Sequence, residues 1–177
     1  MQLVPPSSEY KASFLEAVRE FQADPIDNST VQRYKELSIP ELEADFEKYV
    51  ETQKGFAEGK GLPEGWVPAT TLWLVDGGEY IGRLSIRHEL TEALRATGGH
   101  IGYDIRPSKR NKGYGSKILE LALPITRSLG ISRVLLTCDA SNIGSSKIIE
   151  KNGGVLENRV ENPETGEFKL RYWIEIN

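Results

Sequence analysis

Hydrophobic positions along the chain switch between two spacings, one helical and one of period two, and the switches divide it into elements. Residues 1–4, MQLV, are mostly apolar and are stopped by Pro5 and Pro6, which cannot donate to a ladder, so they predict a short strand. Behind Ser7 or Ser8 as cap, Tyr10, Phe14, Leu15, Val18 and Phe21 recur on one helical face. ADPIDNST carries turn chemistry. A second helix opens at Ser38, with Glu41 completing a capping box, Pro40 in the first turn, and Leu42, Phe46, Tyr49 and Val50 on one stripe.

After the loop GFAEGKGLPEG the period becomes two. TTLWLV predicts a strand, Asp76-Gly77-Gly78 a tight turn, and EYIGRLSIRH its hairpin partner. In that partner, strict alternation puts Tyr80, Gly82, Leu84, Ile86 and His88 on one face and Arg83, Ser85 and Arg87 on the other. ELTEALRATGG is a connection with one helical turn, HIGYDI a further strand, and RPSKRNKGYG a loop that opens a long helix. Ile118, Leu119, Ala122, Ile125 and Leu129 form that helix's stripe, and Gly130 suits the position just past its end. VLLTCD lacks alternation, as a strand buried on both faces does. Asn142 caps a helix to Lys151, and VLENRVE, NPETG and FKLRYWIEI close as a hairpin with Phe168, Leu170, Tyr172, Ile174 and Ile176 inward. The order predicts an α/β fold with a single mixed central sheet of about seven strands flanked by helices. It is one domain over residues 1–177, with 1–68 as the N-terminal strand and helices and 69–177 as the core and final hairpin.

Composition narrows the functional classes. The 177 residues include 38% hydrophobic side chains and carry a net charge of −4, enough to build a core and too acidic for a general nucleic-acid footprint. No apolar run approaches the roughly 20 residues of a membrane span, and the start lacks a basic, apolar leader, so no membrane partner and a cytoplasmic location are expected. Cys138 is the single cysteine and there are two histidines, which leaves no disulfide and no conventional zinc site, and no metal is expected. In its buried strand Cys138 reads as a small core hydrophobe. From Glu36 to Glu58 seven acids face Lys48 and Lys54, either a solvated face or an attraction for a cationic acceptor.

Against that acidic background, Arg106 to Lys117 holds five basic residues and no acid, which predicts that something negative binds there. Gly113 and Gly115 allow close backbone approach, and the helix beginning near Tyr114 aims its free N–H groups into the same loop. The spacing is neither a P-loop nor a dinucleotide fingerprint.

The stretch from Arg110 to Gly115, RNKGYG, resembles the R/Q-x-x-G-x-G/A pyrophosphate motif of the GNAT superfamily of N-acetyltransferases. Its context is similar too, following a strand that ends in Arg106-Pro107 and preceding a strand and a helix start with Asn142 and Ser145. The resemblance spans roughly Thr70 to Ile176. It implies a GNAT-like fold and acetyl-CoA as cosubstrate. The CoA pyrophosphate would lie on the main chain of Lys112, Gly113, Tyr114, Gly115 and Ser116 beside Arg110 and Asn111. Backbone groups near Asp104 and Ile105 would bond the pantetheine and polarise the thioester carbonyl. Asn142 and Ser145 would contact the arm from the other side, and Asn142 reads equally as a helix cap.

It also implies direct transfer of acetyl to a primary amine, on a small molecule or a peptide, in a ternary complex. His100, where several relatives carry a glutamate base, is the candidate base, with a surface histidine as the equal reading. Ile149 stands where many relatives have a tyrosine, so the thiolate is left to Tyr103, Tyr114 or solvent for its proton. That departure motivates a rival reading, a non-catalytic acyl-CoA-binding or sensing module. A third, a nucleotide-binding domain, lacks an acidic residue at a recognisable spacing. The final hairpin's edge offers a route to a homodimer.

Overall fold

Strand β1 (Gln2–Val4) ends at the two prolines, as their missing N–H groups require. In the computed structural model, which describes residues 1–26, 29–162 and 165–176, the helices α1 (Lys11–Gln22), α2 (Ser29–Lys35), α3 (Ile39–Ala44) and α4 (Phe46–Gly55) follow. Phe14, Leu15, Val18 and Phe21 of α1 are buried, the stripe that the spacing predicts. Ser38 caps α3 by accepting the Glu41 N–H. The helix expected from Ser38 is broken at Asp45, whose φ of −143° ends α3 and whose side chain accepts the Lys48 N–H and caps α4. Of the expected turn ADPIDNST, residues 27 and 28 lie outside the described residues, and Ser29 already belongs to α2.

Strands β2 (Ala69–Asp76), β3 (Glu79–Arg87) and β4 (Ile101–Ile105) extend β1 into an antiparallel sheet ordered β1-β2-β3-β4. Helix α5 (Tyr114–Ser128), β5 (Arg133–Asp139), α6 (Ile143–Lys151), β6 (Val155–Glu161) and β7 (Phe168–Glu175) complete the chain, with a second antiparallel sheet ordered β5-β7-β6. The single mixed sheet of the sequence reading is therefore two antiparallel sheets among the described residues. They are joined by the bridge between Gly99 and Leu136 and by the His100 N–H donating to the Leu135 carbonyl at 2.7 Å. Of the final strand's expected inward set, Tyr172 and Ile174 are buried, whereas Phe168 is exposed. The turn NPETG includes residues 163 and 164, outside the described residues.

The first sheet has a core on each face. On one, Leu72, Leu74, Leu84 and Ile86 pack with Ile118 and Leu119 of α5 and with Val134 and Leu136 of β5. On the other, Trp73, Val75 and Tyr80 pack under the N-terminal helices. Phe14 stacks on Trp73 with ring centroids 4.9 Å apart, and Phe21 on Tyr34 at 3.8 Å. The register shows how Tyr80 reaches that face. Leu74 opposes Gly82 but Val75 opposes Tyr80, so Ile81 is an extra residue, a β-bulge. The bulge moves Tyr80 from the face predicted by alternation to that of Arg83, Ser85 and Arg87. A side chain at Gly82 would run into the Asp104 carbonyl oxygen, so the close approach of β4 there requires glycine. Among the described residues no helix is long and apolar enough to cross a membrane.

Candidate active site

The loop before α5 offers free main-chain donors more than the free cations its charge suggests. Gly113 takes φ +84° at the N-cap of α5, and no side chain caps that end, so the first-turn N–H groups face outward. Asn111 also has positive φ, +60°, and Asn111, Lys112 and Gly113 are exposed. A pyrophosphate fits this cradle of free donors at a helix dipole's positive end. The five basic side chains mostly point elsewhere. Arg106 is bound to Glu16 and Glu20 of α1, Lys109 to Glu79, Arg110 to Asp24 at 2.6 Å, and Lys117 to Glu120. The Lys112 ammonium donates to the Ser108 carbonyl. The acids that neutralise Arg106, Lys109 and Arg110 come from α1, from Asp24 just beyond it and from the start of β3, which no local count of charge reveals, whereas Lys117 pairs within its own helix. Arg110 also donates to the Ile105 carbonyl at 3.2 Å, so its guanidinium braces the loop from beneath. Gly115 differs from Gly113. Its role is packing, since a side chain there would meet the Ile148 methyl of α6 at 2.5 Å.

Where the two sheets meet, β4 and β5 touch at one end and part. Arg87 N–H donates to the His100 carbonyl and Arg106 N–H to the Ile81 carbonyl, both at 2.8 Å. By the alternation of an antiparallel ladder, Gly102 and Asp104 therefore turn their main-chain groups towards β3, while Ile101, Tyr103 and Ile105 turn theirs towards β5. Of the expected pair, Ile105 has main-chain groups on the gap side and Asp104 does not. His100 stands at the closed end of the gap, where its Nδ1 accepts the Leu135 N–H at 2.9 Å. An imidazole that accepts through Nδ1 carries its proton on Nε2, so the lone pair needed by a base is already engaged. Burial, with Arg95 and then Arg87 adding to it, also lowers the His100 pKa.

The far wall of the gap carries Asn142, whose side chain caps α6 by accepting the Ser145 N–H at 2.9 Å. The Ser145 hydroxyl lies 3.0 Å from the Tyr103 hydroxyl. Tyr103 stands on the strand that edges the gap, and burial pushes its phenol up to about 12. Tyr114 instead donates to Asp76 at the β2–β3 turn, and Ile149 is a core side chain. Burial pushes the Cys138 thiol up to about 11, the state of an unreactive sulfhydryl.

One constellation escapes sequence reading. The Asp104 carboxylate is buried on the face under the N-terminal helices, where it accepts from the Tyr34 hydroxyl at 2.6 Å and the Arg83 N–H at 3.3 Å, with Arg33 3.5 Å away. Tyr34 and Tyr80 share a hydroxyl contact of 2.9 Å. The alternation of Arg83, Ser85 and Arg87 is the only signal in the sequence that points to this group, and Arg33 and Tyr34 come from a helix unannounced by the turn-rich segment before it.

Comparison with known proteins agrees with this geometry. The family model described as acetyltransferase (GNAT) domain matches residues 4–155. Among curated proteins no sequence matches the chain. Among solved structures, the chain is similar to the microcin self-immunity acetyltransferase MccE in complex with acetyl-CoA and AMP, at 16% identity and a TM-score of 0.69 over 98% of this chain and 91% of that one. It is similar to the ribosomal alpha-N-protein acetyltransferase RimL in complex with coenzyme A, at 19% identity and a TM-score of 0.69 over 99% and 95%. RimJ of Mycobacterium smegmatis, in complex with a CoA disulfide, matches at 17% identity and a TM-score of 0.69 over 98% of this chain and 80% of that one. With the uncapped helix behind a left-handed glycine, the parted strands beside it and a family match over most of the sequence, the chain belongs to the GNAT family of acetyltransferases.

Proposed function

We propose that the protein transfers the acetyl group of acetyl-CoA to a primary amine by direct attack in a ternary complex. The observation that carries this is the uncapped N-terminus of α5 behind Gly113, set beside the gap between β4 and β5. In this reading the first-turn N–H groups of α5, from Gly113 to Ser116, hold the pyrophosphate, and Arg110 holds the loop in shape. Asn142 and Ser145 line the opposite wall. The Ile105 N–H, turned to the gap, stands where a carbonyl of the arm or the thioester can accept from it. Acetyl-CoA supplies an activated acyl group, and the protein's part is to orient it and exclude competing water.

An alkylamine with a pKa near 10 must lose a proton before it attacks. With the His100 lone pair held by Leu135, the proton leaves through solvent at the half-exposed end of the β3–β4 pair around Arg87 and Gly102. Tyr103 is the phenol best placed to protonate the departing thiolate, because its raised pKa keeps the proton on oxygen at neutral pH. Tyr103→Phe should therefore lower kcat several-fold, on the order of the smaller effects of lost acid catalysis, with acetyl-CoA affinity unchanged. An unchanged kcat would hand the role to solvent.

The test of the whole reading is a calorimetric titration of acetyl-CoA into wild type, Gly113→Asn and Gly113→Asp, with ATP as control. Both side chains tolerate the left-handed conformation, and neither Cβ meets an atom within 4 Å, so both variants fold. Aspartate would cap the free N–H groups and set a negative charge where the pyrophosphate belongs. Saturable binding to wild type, weakened in Gly113→Asn and lost in Gly113→Asp, is expected. Binding indifferent to both variants, or equal for ATP, refutes the placement. The rival reading, an acyl-CoA sensor, rests on the engaged His100 and on Ile149, and any amine that releases CoA thiol rules it out.

A further inference from the structure

The sheet face under the N-terminal helices changes character along its length. At Trp73 and Tyr80 it is aromatic and fully buried, whereas at Arg87 and Gly102 it is polar and half-exposed. Three arginines, Arg33, Arg83 and Arg87, lie close enough there to act on one another through their charges, and Arg83 and Arg33 also act on the carboxylate of Asp104. The Asp104 oxygens take hydrogen bonds from Tyr34 and from the main chain of Arg83 and an ion pair from Arg33, so the Arg83 guanidinium acts on this carboxylate through its charge, with no ion pair to it among the described residues. Arg83 is only 7% exposed, its Nε has no partner, and its Nη2 reaches Thr71 at a long 3.4 Å. Arg87 spends Nη1 on the carbonyls of Gly98 and Gly99. Burial, followed by the neighbouring charges of Arg33 and Arg83, disfavours its cation. One carboxylate among three guanidinium groups leaves an excess of positive charge at a partly buried place, which a further anion would offset.

There is room for one. Across the ladder from Ser85, a Cβ at Gly102 would have only the Arg87 nitrogens within 4 Å, at 3.9 and 4.0 Å, so Gly102 leaves open space beside that guanidinium. These arginines on β3 lie one strand spacing, about 4.8 Å, from β4, whose other edge borders the gap. We infer that the amine acceptor carries its own anionic group, a carboxylate or a phosphate a few bonds from the nitrogen, bound by Arg83 and Arg87 with Arg33 closing from α2. This rests on the acetyl-transfer reading above. It reverses the attraction for a cationic acceptor that the acidic helices suggest. Glu41, Glu43, Glu47 and Glu51 lie on the exposed faces of α3 and α4, and Glu43 and Glu51 pair with Arg19 and Lys54. Arg83 and Arg87 are specificity-determining and Arg33 positions the acid.

The experiment measures CoA-thiol release with matched amines: amino acids against their carboxamides, aminoethyl phosphate against ethylamine, and spermidine. The anionic member of a pair should have a kcat/KM about tenfold or more higher, because a site built around charged donors rejects the ligand that leaves them unpaired. The carboxylate and phosphate arms separate the two sources of charge. Arg87→Gln, on a half-exposed side chain, should erase the preference by raising KM while the acetyl-CoA dissociation constant stays put. Preference for the carboxamides, ethylamine or spermidine overturns the inference. Should none of these amines turn over, titrating acetate and inorganic phosphate into protein saturated with CoA, so that the helix terminus is occupied, decides it. Saturable uptake weakened in Arg87→Gln and Arg33→Gln supports it, and no uptake overturns it. Failure of acetyl-CoA itself to bind would instead overturn the acetyl-transfer reading.

Discussion

His100 shows how one side chain can look catalytic in sequence and act as a fastener in space. Its ring accepts the Leu135 N–H, and Leu135 is fully buried, so His100→Ala strands that donor without water. The cost should be about 1–3 kcal/mol, read as a lower denaturation midpoint. The pH dependence follows from the depressed pKa. The folded state holds the neutral ring, so its contribution is present above the unfolded value near 6.5 and is lost as pH falls below it towards the folded pKa. Wild type should therefore weaken on acidification through that window and His100→Ala should weaken less. The acidic limb of the kcat/KM profile should survive in His100→Ala. Its disappearance would restore His100 as the base. Sequence position alone could not separate these roles, because the partner lies 35 residues away on another strand.

Helix α1 and the loop before α5 form a unit that the sequence announces only in halves. The helix stripe and the RNKGYG motif are legible from spacing, whereas their docking depends on Arg106 meeting Glu16 and Glu20 across the fold. Glu20 accepts from Arg106 Nε at 2.8 Å and from the Ser108 N–H and hydroxyl, both at 3.0 Å. Burial alone would raise its pKa, but the bonds from Arg106 and Ser108 outweigh it and hold the carboxyl below the ordinary value. The stabilisation is present above the unfolded value near 4.3 and is lost as pH falls through the folded one. Glu20→Gln should cost about 1–2 kcal/mol at pH 7, and the gap to wild type should close as pH falls through the folded Glu20 pKa, in urea melts followed by circular dichroism. A gap that persists in acid would mean the contact is packing and not charge. The same limit on local reading explains the bulge at Ile81, since two adjacent apolar residues in a β pattern do not say which of them is extra.

The two sheets are held at one end and open at the other, and Gly99 sets where the opening begins. It bridges to Leu136 with φ +73° and ψ 178°, a conformation essentially reserved for glycine. A Cβ there would stand 2.6 Å from the Leu135 carbonyl oxygen, a backbone atom that cannot swing aside as a side chain could. The sequence reading places Gly99 in a connecting loop, where its glycine looks like ordinary turn chemistry, because the contact that demands it is between sheets. Gly99→Ala should thus combine backbone strain of about 1–3 kcal/mol with displacement of β5 from β4. The joint and the cradle are separate parts, since Gly113 caps α5 without touching either strand's bridge. If the gap must have its native taper to admit the pantetheine arm, Gly99→Ala will bind acetyl-CoA more weakly, by about tenfold or more, at temperatures where circular dichroism shows it folded. Binding of the pyrophosphate portion alone, probed with adenosine 3′-phosphate 5′-diphosphate, should be unchanged. Equal loss for both probes would mean that the variant disturbs the helix terminus as well, and no loss for either would show that the taper is not what the arm requires.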